Sequence, residues 1–246
     1  MSKWNFVERD EVDSTQLVAE ELASRGAPEG TAVVAKSQSA GRGRLGRAWV
    51  SPPGGLYMSL ILRPGRIRRP EALPLVAALA VVDGVNDLTG LDTRIRWPND
   101  IMVGPKKLGG VIAVAETYRR EVTLALVGVG VNCNAPISGL QSPGGEATTI
   151  AEEVGIGVEI PKVRDSILGS FSHLYEHVKA GDDLAPLWKE KVGTVGKPVT
   201  IKMRANETPL SYDAVGIAQD GGLIVSRSGA KSTVRAEETE WLRETD

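Results

Sequence analysis

Gly41-Arg42-Gly43-Arg44-Leu45-Gly46-Arg47-Ala48-Trp49 is the stretch on which the fold turns. Gly41 to Gly46 satisfies G-x-G-x-x-G, and a dinucleotide-binding turn of that form must lead from a strand straight into a helix. A strand does precede it, Thr31 to Lys36, but Trp49-Val50-Ser51-Pro52-Pro53-Gly54-Gly55 follows. Two prolines and two glycines cannot open a helix there, so a doubly wound dinucleotide fold is excluded. A G-x-x-x-x-G-K-[ST] phosphate loop and the protein-kinase loop motifs are also absent from the sequence. What remains is a loop. Its glycines let backbone amides approach a ligand, its arginines supply forks of donors suited to phosphate and carboxylate, and its tryptophan offers a face for a purine. The segment suggests closure over a nucleotide phosphate; the alternative is a solvated, flexible loop.

Outward from the loop, Asp13 followed by Gln16 fits a capping box opening a helix from Ser14 to Arg25, closed by Gly26. Leu56 to Leu62 reads as a buried strand, and the alanine-rich Pro70 to Leu88 as a core helix with Pro74 tolerated near its start. Ile95 to Pro98 is a short extended piece. Leu108–Thr117 and Glu121–Val131 predict a hairpin turning at Tyr118-Arg119-Arg120. Val163, Ile167, Phe171, Leu174, Tyr175 and Val178 mark one face of a long helix. Beyond Val195 only short β-like runs remain: Pro198–Met203, Tyr212–Ala218, Leu223–Arg227 and Ser232–Ala236, with a turn at Asp220-Gly221-Gly222. The pattern predicts an α+β domain over residues 1–192 and a small β-barrel over residues 193–246.

With 246 residues, 41% of them hydrophobic, the chain can bury one substantial core and a small second unit. No apolar run approaches the roughly 20 residues of a bilayer span, and Met1 to Asp10 lacks the apolar centre of a signal peptide. The single cysteine, Cys133, excludes an intrachain disulfide and a cysteine-based zinc finger. A cytoplasmic, soluble protein is expected. A net charge of −2 with 4% aromatic residues makes the arginine loop a local feature and argues against nucleic acid as the main partner.

Four further segments carry chemistry. In Arg96-Trp97-Pro98-Asn99-Asp100 a strand runs into polar residues across a proline, which reads as an Asx turn or as a strand end presenting ligand-binding side chains. Pro105-Lys106-Lys107-Leu108-Gly109-Gly110 opens the hairpin, and glycine within a strand marks close approach of a ligand or another backbone. Gly128 and Gly130 sit on alternate positions of Val127–Asn132, so they leave one sheet face bare; a tightly packed helix crossing is the competing explanation. His173-Leu174-Tyr175-Glu176-His177 matches a zinc-peptidase spacing, but the helical wheel puts both histidines off the apolar face, and a solvated helix surface is the better reading.

Taken in order, Asp13-Ser14-Thr15, Gln38 to Arg44, Arg96 to Asp100, Lys107 to Gly110 and Gly128 to Asn132 resemble the motifs of the biotin protein ligases. Each motif is weak alone; the ordered set is specific and spans the chain. The resemblance implies a mixed-sheet catalytic domain with packed helices, related to the class II synthetase and lipoate ligase core, followed by the barrel. Only 13 residues precede the expected first helix, too few for the helix-turn-helix of members that double as repressors, so a ligase without DNA binding is expected. The family reaction activates biotin with ATP to biotinyl-5′-AMP, then transfers biotin to a lysine of a biotin carboxyl carrier domain.

By resemblance, Ser14, Thr15, Gln16 and Gln38 line the biotin pocket together with Arg42, Gly43, Arg44, Lys107, Gly110, Gly128 and Gly130. Arg42, Arg44, Trp49, Asn99, Asp100, Lys107 and Asn132 meet ATP and the adenylate. Lys107, Arg42 and Arg44 are the catalytic cations, and Lys107 bridges the carboxylate and the α-phosphate. Mg²⁺ is expected on the triphosphate and water, with no assigned protein ligands. A homodimer through the central sheet is the oligomeric form the resemblance suggests, with no DNA or membrane partner. Two departures stand out: Arg96 replaces a common lysine, and Ala115-Glu116 replaces a Val-Glu ending. The nearest rival is a lipoate–protein ligase, whose arginine-rich, triple-glycine motif ends in His-Asp; here the first histidine is His173. A protein that binds biotin or a nucleotide without catalysis is the rival of a different class.

Overall fold

In a strand, successive side chains point to opposite faces, and this alternation sorts the centre of the molecule. The computed structural model describes residues 4–67, 69–119, 121–140, 145–205 and 208–245. In chain order its elements are β1 (Asn5–Val12), α1 (Thr15–Ser24), β2 (Thr31–Gln38), β3 (Leu56–Leu62), α2 (Leu73–Thr89), β4 (Thr93–Arg96), β5 (Asp100–Val103), β6 (Lys106–Tyr118) and β7 (Glu121–Val131). Then come α3 (Ile150–Val154), α4 (Ile160–Ala180), α5 (Ala185–Lys191), β8 (Pro198–Met203), β9 (Leu210–Ile217), β10 (Leu223–Arg227), β11 (Ala230–Val234) and β12 (Thr239–Glu244).

Seven strands pair in the order β1-β2-β3-β7-β6-β5-β4. Only β1 and β2 run parallel; the other neighbours are antiparallel, so the sheet is mixed. On one face Leu56, Met58, Leu60 and Leu62 of β3 and Val127, Val129 and Val131 of β7 are buried with α2 and α4 in the main core. All six apolar positions expected on α4, from Val163 to Val178, are buried in it. On the other face α1 covers only part of the sheet, where Ala19 and Ala23 meet Val33, Ile61 and Leu126. The rest of that face stays open.

The α+β expectation and the β6–β7 hairpin hold; Arg120 in its turn lies outside the described residues. After β2 the chain enters one 3₁₀ turn, Arg44–Gly46, and then β3, which agrees with the exclusion of a dinucleotide turn. Four details differ. β1 has no counterpart in the expected pattern, because an exposed edge strand rich in charge (Glu8 to Glu11) shows no apolar alternation. The N-cap of α1 is Ser14, whose hydroxyl accepts from the Gln16 amide, while Asp13 accepts from Ser39 Oγ at 2.7 Å; the expected capping box is not formed. The core helix expected from Pro70 begins three residues later, because Pro70–Ala72 forms a 3₁₀ turn ahead of α2, whose buried side chains run from Leu73 to Val85. Finally, β12 was unanticipated.

β12 completes a second, antiparallel sheet in the order β11-β10-β9-β8-β12, where the small barrel was expected. Val199, Ile201, Ala214, Leu223, Val225 and Val234 of this sheet share the main core. The Trp97–Pro98 bond is cis, and Trp97 ties the two sheets together. Its backbone N–H donates to Thr194 Oγ1 at 3.0 Å and its Nε1 to the Gly221 carbonyl at 2.9 Å.

Candidate active site

The open face of the first sheet is the floor of a cleft of about 860 Å³. Cross-strand register builds the floor in two rows: Ser59, Gly128 and Ile112, then Gly130, Gly110 and Asp100. The glycines keep it low. A Cβ on Gly130 would lie 2.5 Å from Trp49 Nε1, and one on Gly128 would lie 2.9 Å from Gln16 Oε1. Ser14, Thr15, Gln16, Gln38, Arg42, Gly43, Arg44, Trp49, Asn99, Asp100, Lys107, Gly110, Gly128 and Gly130 all line this one cleft. Asn132 does not. It is buried, its Nδ2 donates to the Thr148 carbonyl at 3.0 Å, and its Oδ1 has no partner among the described residues.

At one end the floor is a polar chain. Thr15 donates its backbone N–H to Gln38 Oε1 at 2.8 Å, and Gln38 Nε2 donates to Ser51 Oγ at 2.7 Å, which fixes that amide's orientation. Gln16 Nε2 donates to the Leu126 carbonyl at 3.3 Å, which fixes the other. Between the two carbonyl oxygens lie two hydroxyls. Thr15 Oγ1 is 3.1 Å from Gln38 Oε1 and 2.9 Å from Ser59 Oγ, and Ser59 Oγ is 3.0 Å from Gln16 Oε1. Each hydroxyl owns one proton, so two protons serve three oxygen–oxygen contacts. One contact is always short of a proton, and the floor here asks for a ligand that brings N–H or O–H donors.

The other end is charged. Lys107 Nζ lies 2.5 Å from Asp100 Oδ1, and Arg96 Nη2 lies 2.8 Å from Asp100 Oδ2. Burial alone would raise the Asp100 pKa, but Lys107 and Arg96 outweigh it and hold the carboxyl below its ordinary range. The neighbouring lysine faces away: Lys106 pairs with Glu153 at 3.2 Å, and Thr148 Oγ1 donates to the same carboxylate at 2.6 Å. Of the lysine pair, then, Lys107 is the one in the cleft. Its backbone is clamped, its N–H donating to the Glu146 carbonyl and its C=O accepting from Thr148 N–H. Asn99 is tied to β6 by Nδ2 donating to the Val111 carbonyl at 2.9 Å.

The glycine–arginine loop forms the roof. It folds on itself through a bridge between Arg42 and Ala48, and it sets the Trp49 ring on the glycine floor with Lys107 Nζ 5.4 Å from the ring centroid. Trp49 Nε1 is buried with no partner among the described residues. The Arg44 guanidinium reaches the second sheet, where Nη1 donates to the Ala236 carbonyl and Nη2 to the Thr239 carbonyl at 2.9 Å. Burial, then repulsion from Arg47, lowers its pKa. Arg42 forms no ion pair among the described residues and faces the cleft from an exposed position.

The sequence pattern described as the Biotin/lipoate A/B protein ligase family matches residues 8–132. The chain belongs to this family. Among its relatives, the bifunctional ligase/repressor BirA of Bacillus subtilis (strain 168) is 33% identical over 95% of this chain and 73% of the relative. The biotin–[acetyl-CoA-carboxylase] ligase of Paracoccus denitrificans is 30% identical over 92% of this chain and 96% of the relative. A solved biotin protein ligase from Aquifex aeolicus, described in complex with biotin and ATP, superposes with a TM-score of 0.83 at 30% identity, covering 98% of this chain and 99% of that one. The matched biotin/lipoate ligase region holds both lysines, the loop and the glycine floor. The second sheet lies beyond it.

Within this biotin/lipoate ligase site three residues escaped sequence reasoning. Ser59 is fully buried in a strand that reads as continuous core, and a single serine in such a run was the available signal. Ser51 joins Gln38 to the Trp49 carbonyl but sits in a proline-glycine stretch that reads as loop. Arg47 donates to the Glu240 carbonyl at 3.0 Å, a contact with no local signature. The rejected zinc motif is surface: His173 is exposed, His177 pairs with Asp182 at 2.6 Å, and no group of three metal-binding side chains occurs among the described residues. Cys133 is buried, and burial pushes its thiol pKa to about 12.

Proposed function

We propose that this protein is a biotin protein ligase that joins biotin to ATP, forming biotinyl-5′-AMP and pyrophosphate, and then passes biotin to a lysine of a biotin carboxyl carrier domain. The observation that carries the choice of acid is the proton-poor floor at Thr15, Ser59, Gln16 and Gln38. The ureido ring of biotin brings two N–H donors to such acceptors, and Ser14, 1% exposed, adds a hydroxyl beside them. The dithiolane of lipoate brings none, so it would leave buried oxygens unpaired, at a cost of about 1–3 kcal/mol each. This disfavours the lipoate ligase reading.

In the first step a biotin carboxylate oxygen attacks the α-phosphorus, the bond to the β-phosphate bridging oxygen breaks, and pyrophosphate leaves. Two anions must meet, so fixed positive charge and exclusion of water contribute most. Lys107 is the central cation, already desolvated and held by Asp100. Arg42 is the loop cation without a competing partner among the described residues, and Arg44 acts by fastening the roof. In the second step the carrier's lysine amine attacks the acyl carbon, the bond to the phosphate oxygen breaks, AMP leaves and the amine loses a proton. The adenine is assigned to the end of the cleft near Trp49, and Asn132, buried behind the floor, takes no direct part.

Mg²⁺ is assigned to the triphosphate and water. The half-buried carboxylate of Asp100 is engaged by two cations, so it is a poor metal ligand, and no step here depends on the ion. Residues 1–192 are taken as the catalytic unit and residues 193–246 as an accessory unit. ATP–pyrophosphate exchange with biotin, lipoate or no acid tests the reading. Exchange with biotin alone is expected; exchange with lipoate would move the protein to the sister activity, and binding of biotin without exchange would make it a non-catalytic binder.

A further inference from the structure

Arg44 and Arg47, two of the three loop arginines, are engaged by the protein's own backbone. They donate to main-chain carbonyls of one short segment of the second sheet, Ala236, Thr239 and Glu240. That segment is built to offer them. β12 is an edge strand, paired only with β8. The β8–β12 register shifts between Thr239 and Trp241, so Glu240 is left out of the ladder, as at a β-bulge. The 3₁₀ turn just before it, Ala236–Glu238, is held by side chains that touch neither loop nor cleft. Arg235 N–H donates to Glu238 Oε2 at 3.3 Å, Arg235 Nε to Asp220 Oδ2 at 3.3 Å, and the fully buried Thr239 donates its hydroxyl to the Arg235 carbonyl at 2.9 Å. Because the acceptors are neutral backbone groups, the contact depends on where the segment is held rather than on its side-chain charges.

We propose that the Ala236–Glu240 segment is a latch for the glycine–arginine loop, with Arg235, Glu238 and Thr239 as positioning residues that hold the latch in place. The second sheet then contributes to the reaction by setting how long the roof stays shut over an activated intermediate. The docking of the loop stands on the contacts alone; the identity of the intermediate rests on the function proposed above.

Three full-length variants test this: Thr239→Val, which removes the hydroxyl from a buried site while keeping its shape; Thr239→Ser, which restores it; and Arg47→Ala, an exposed change that cannot compromise the core. The ligand-free proteins are digested briefly with trypsin and cleavage after Arg42 and Arg44 is followed by mass spectrometry. Separately, biotinyl-adenylate is formed and its release is timed after dilution. Thr239→Val and Arg47→Ala should each speed loop cleavage and adenylate release about tenfold, the scale of one lost charge-assisted hydrogen bond. Thr239→Ser should behave as wild type. The thermal midpoint identifies any variant that has merely unfolded, and Arg47→Ala then decides alone. Unchanged cleavage in folded Thr239→Val and Arg47→Ala overturns the latch, and faster cleavage with unchanged adenylate release overturns its role in retention. A wild-type protein that makes no adenylate defeats the ligase reading, while the cleavage rates still decide the latch.

Discussion

The two faces of β7 are made from the same short stretch of chain and do opposite things. Val127, Val129 and Val131 point into the core with α2 and α4; Leu126, Gly128 and Gly130 point to the side that α1 only partly covers. Stability on the first face comes from filled volume. Function on the second comes from missing volume, because the roof rests where side chains would otherwise stand. β6 repeats the contrast, with Leu108 and Val111 buried in the core and Gly110 lining the cleft.

Four experiments would break or sharpen that contrast. The largest effect is expected at the lysine pair: Lys107→Ala should slow biotin-dependent pyrophosphate exchange about 10²-fold or more, as for loss of a preorganised charge, while Lys106→Ala should stay within about twofold of wild type, since removing an outward, partly exposed pair costs little. Comparable losses in both would mean that the face a lysine points to does not matter. Next, Gly130→Ala places a methyl 2.5 Å from the Trp49 ring and should cost about 10²-fold in kcat/KM through misplacement of the roof, with little change in stability. Val129→Ala, one position away, should do the reverse, losing about 2 kcal/mol in urea unfolding with normal exchange per folded molecule. Urea titration and exchange kinetics on both variants check the pair, and a swap of phenotypes would invert the assignment of faces.

Ser59→Ala is the third. It takes the donor from Gln16 Oε1 and an acceptor from the floor, so KM for biotin should rise about tenfold with a smaller change in kcat; a change confined to kcat would place Ser59 outside ligand binding. The smallest effect concerns Asp100. Its folded pKa lies below that of the unfolded chain, so its stabilising contribution is full at neutral pH and is lost as pH falls from about 5 through the depressed folded value. In Asp100→Asn the acid-side decline of the unfolding midpoint should be shallower than in wild type, and an unaltered profile would show that the carboxylate is not differentially held.

The legible part of the fold was the part carried by periodicity. The α4 stripe from Val163 to Val178, the β3 apolar run and the β6–β7 hairpin each repeat a local rule often enough to show. β1 was not legible, because a charged edge strand gains its order from one neighbour's backbone rather than from its own side chains. In the site, the glycines and Lys107 were visible since they break the pattern around them. Ser59 was visible only as one polar residue in an apolar strand, and Asn132 was read as a cleft residue although its side chain turns to the Thr148 loop.

By itself the sequence determined the class of fold, the exclusion of a dinucleotide turn, and the ordered motifs that resemble a biotin ligase, because each depends on residues close together in the chain. The tertiary structure decided which lysine enters the cleft, that two hydroxyl protons are shared by three contacts, and that Arg44 fastens the roof to Thr239, 195 positions away. Strand register and the packing of two sheets bring those atoms within hydrogen-bond range, and no local pattern of residues encodes a distance across the fold.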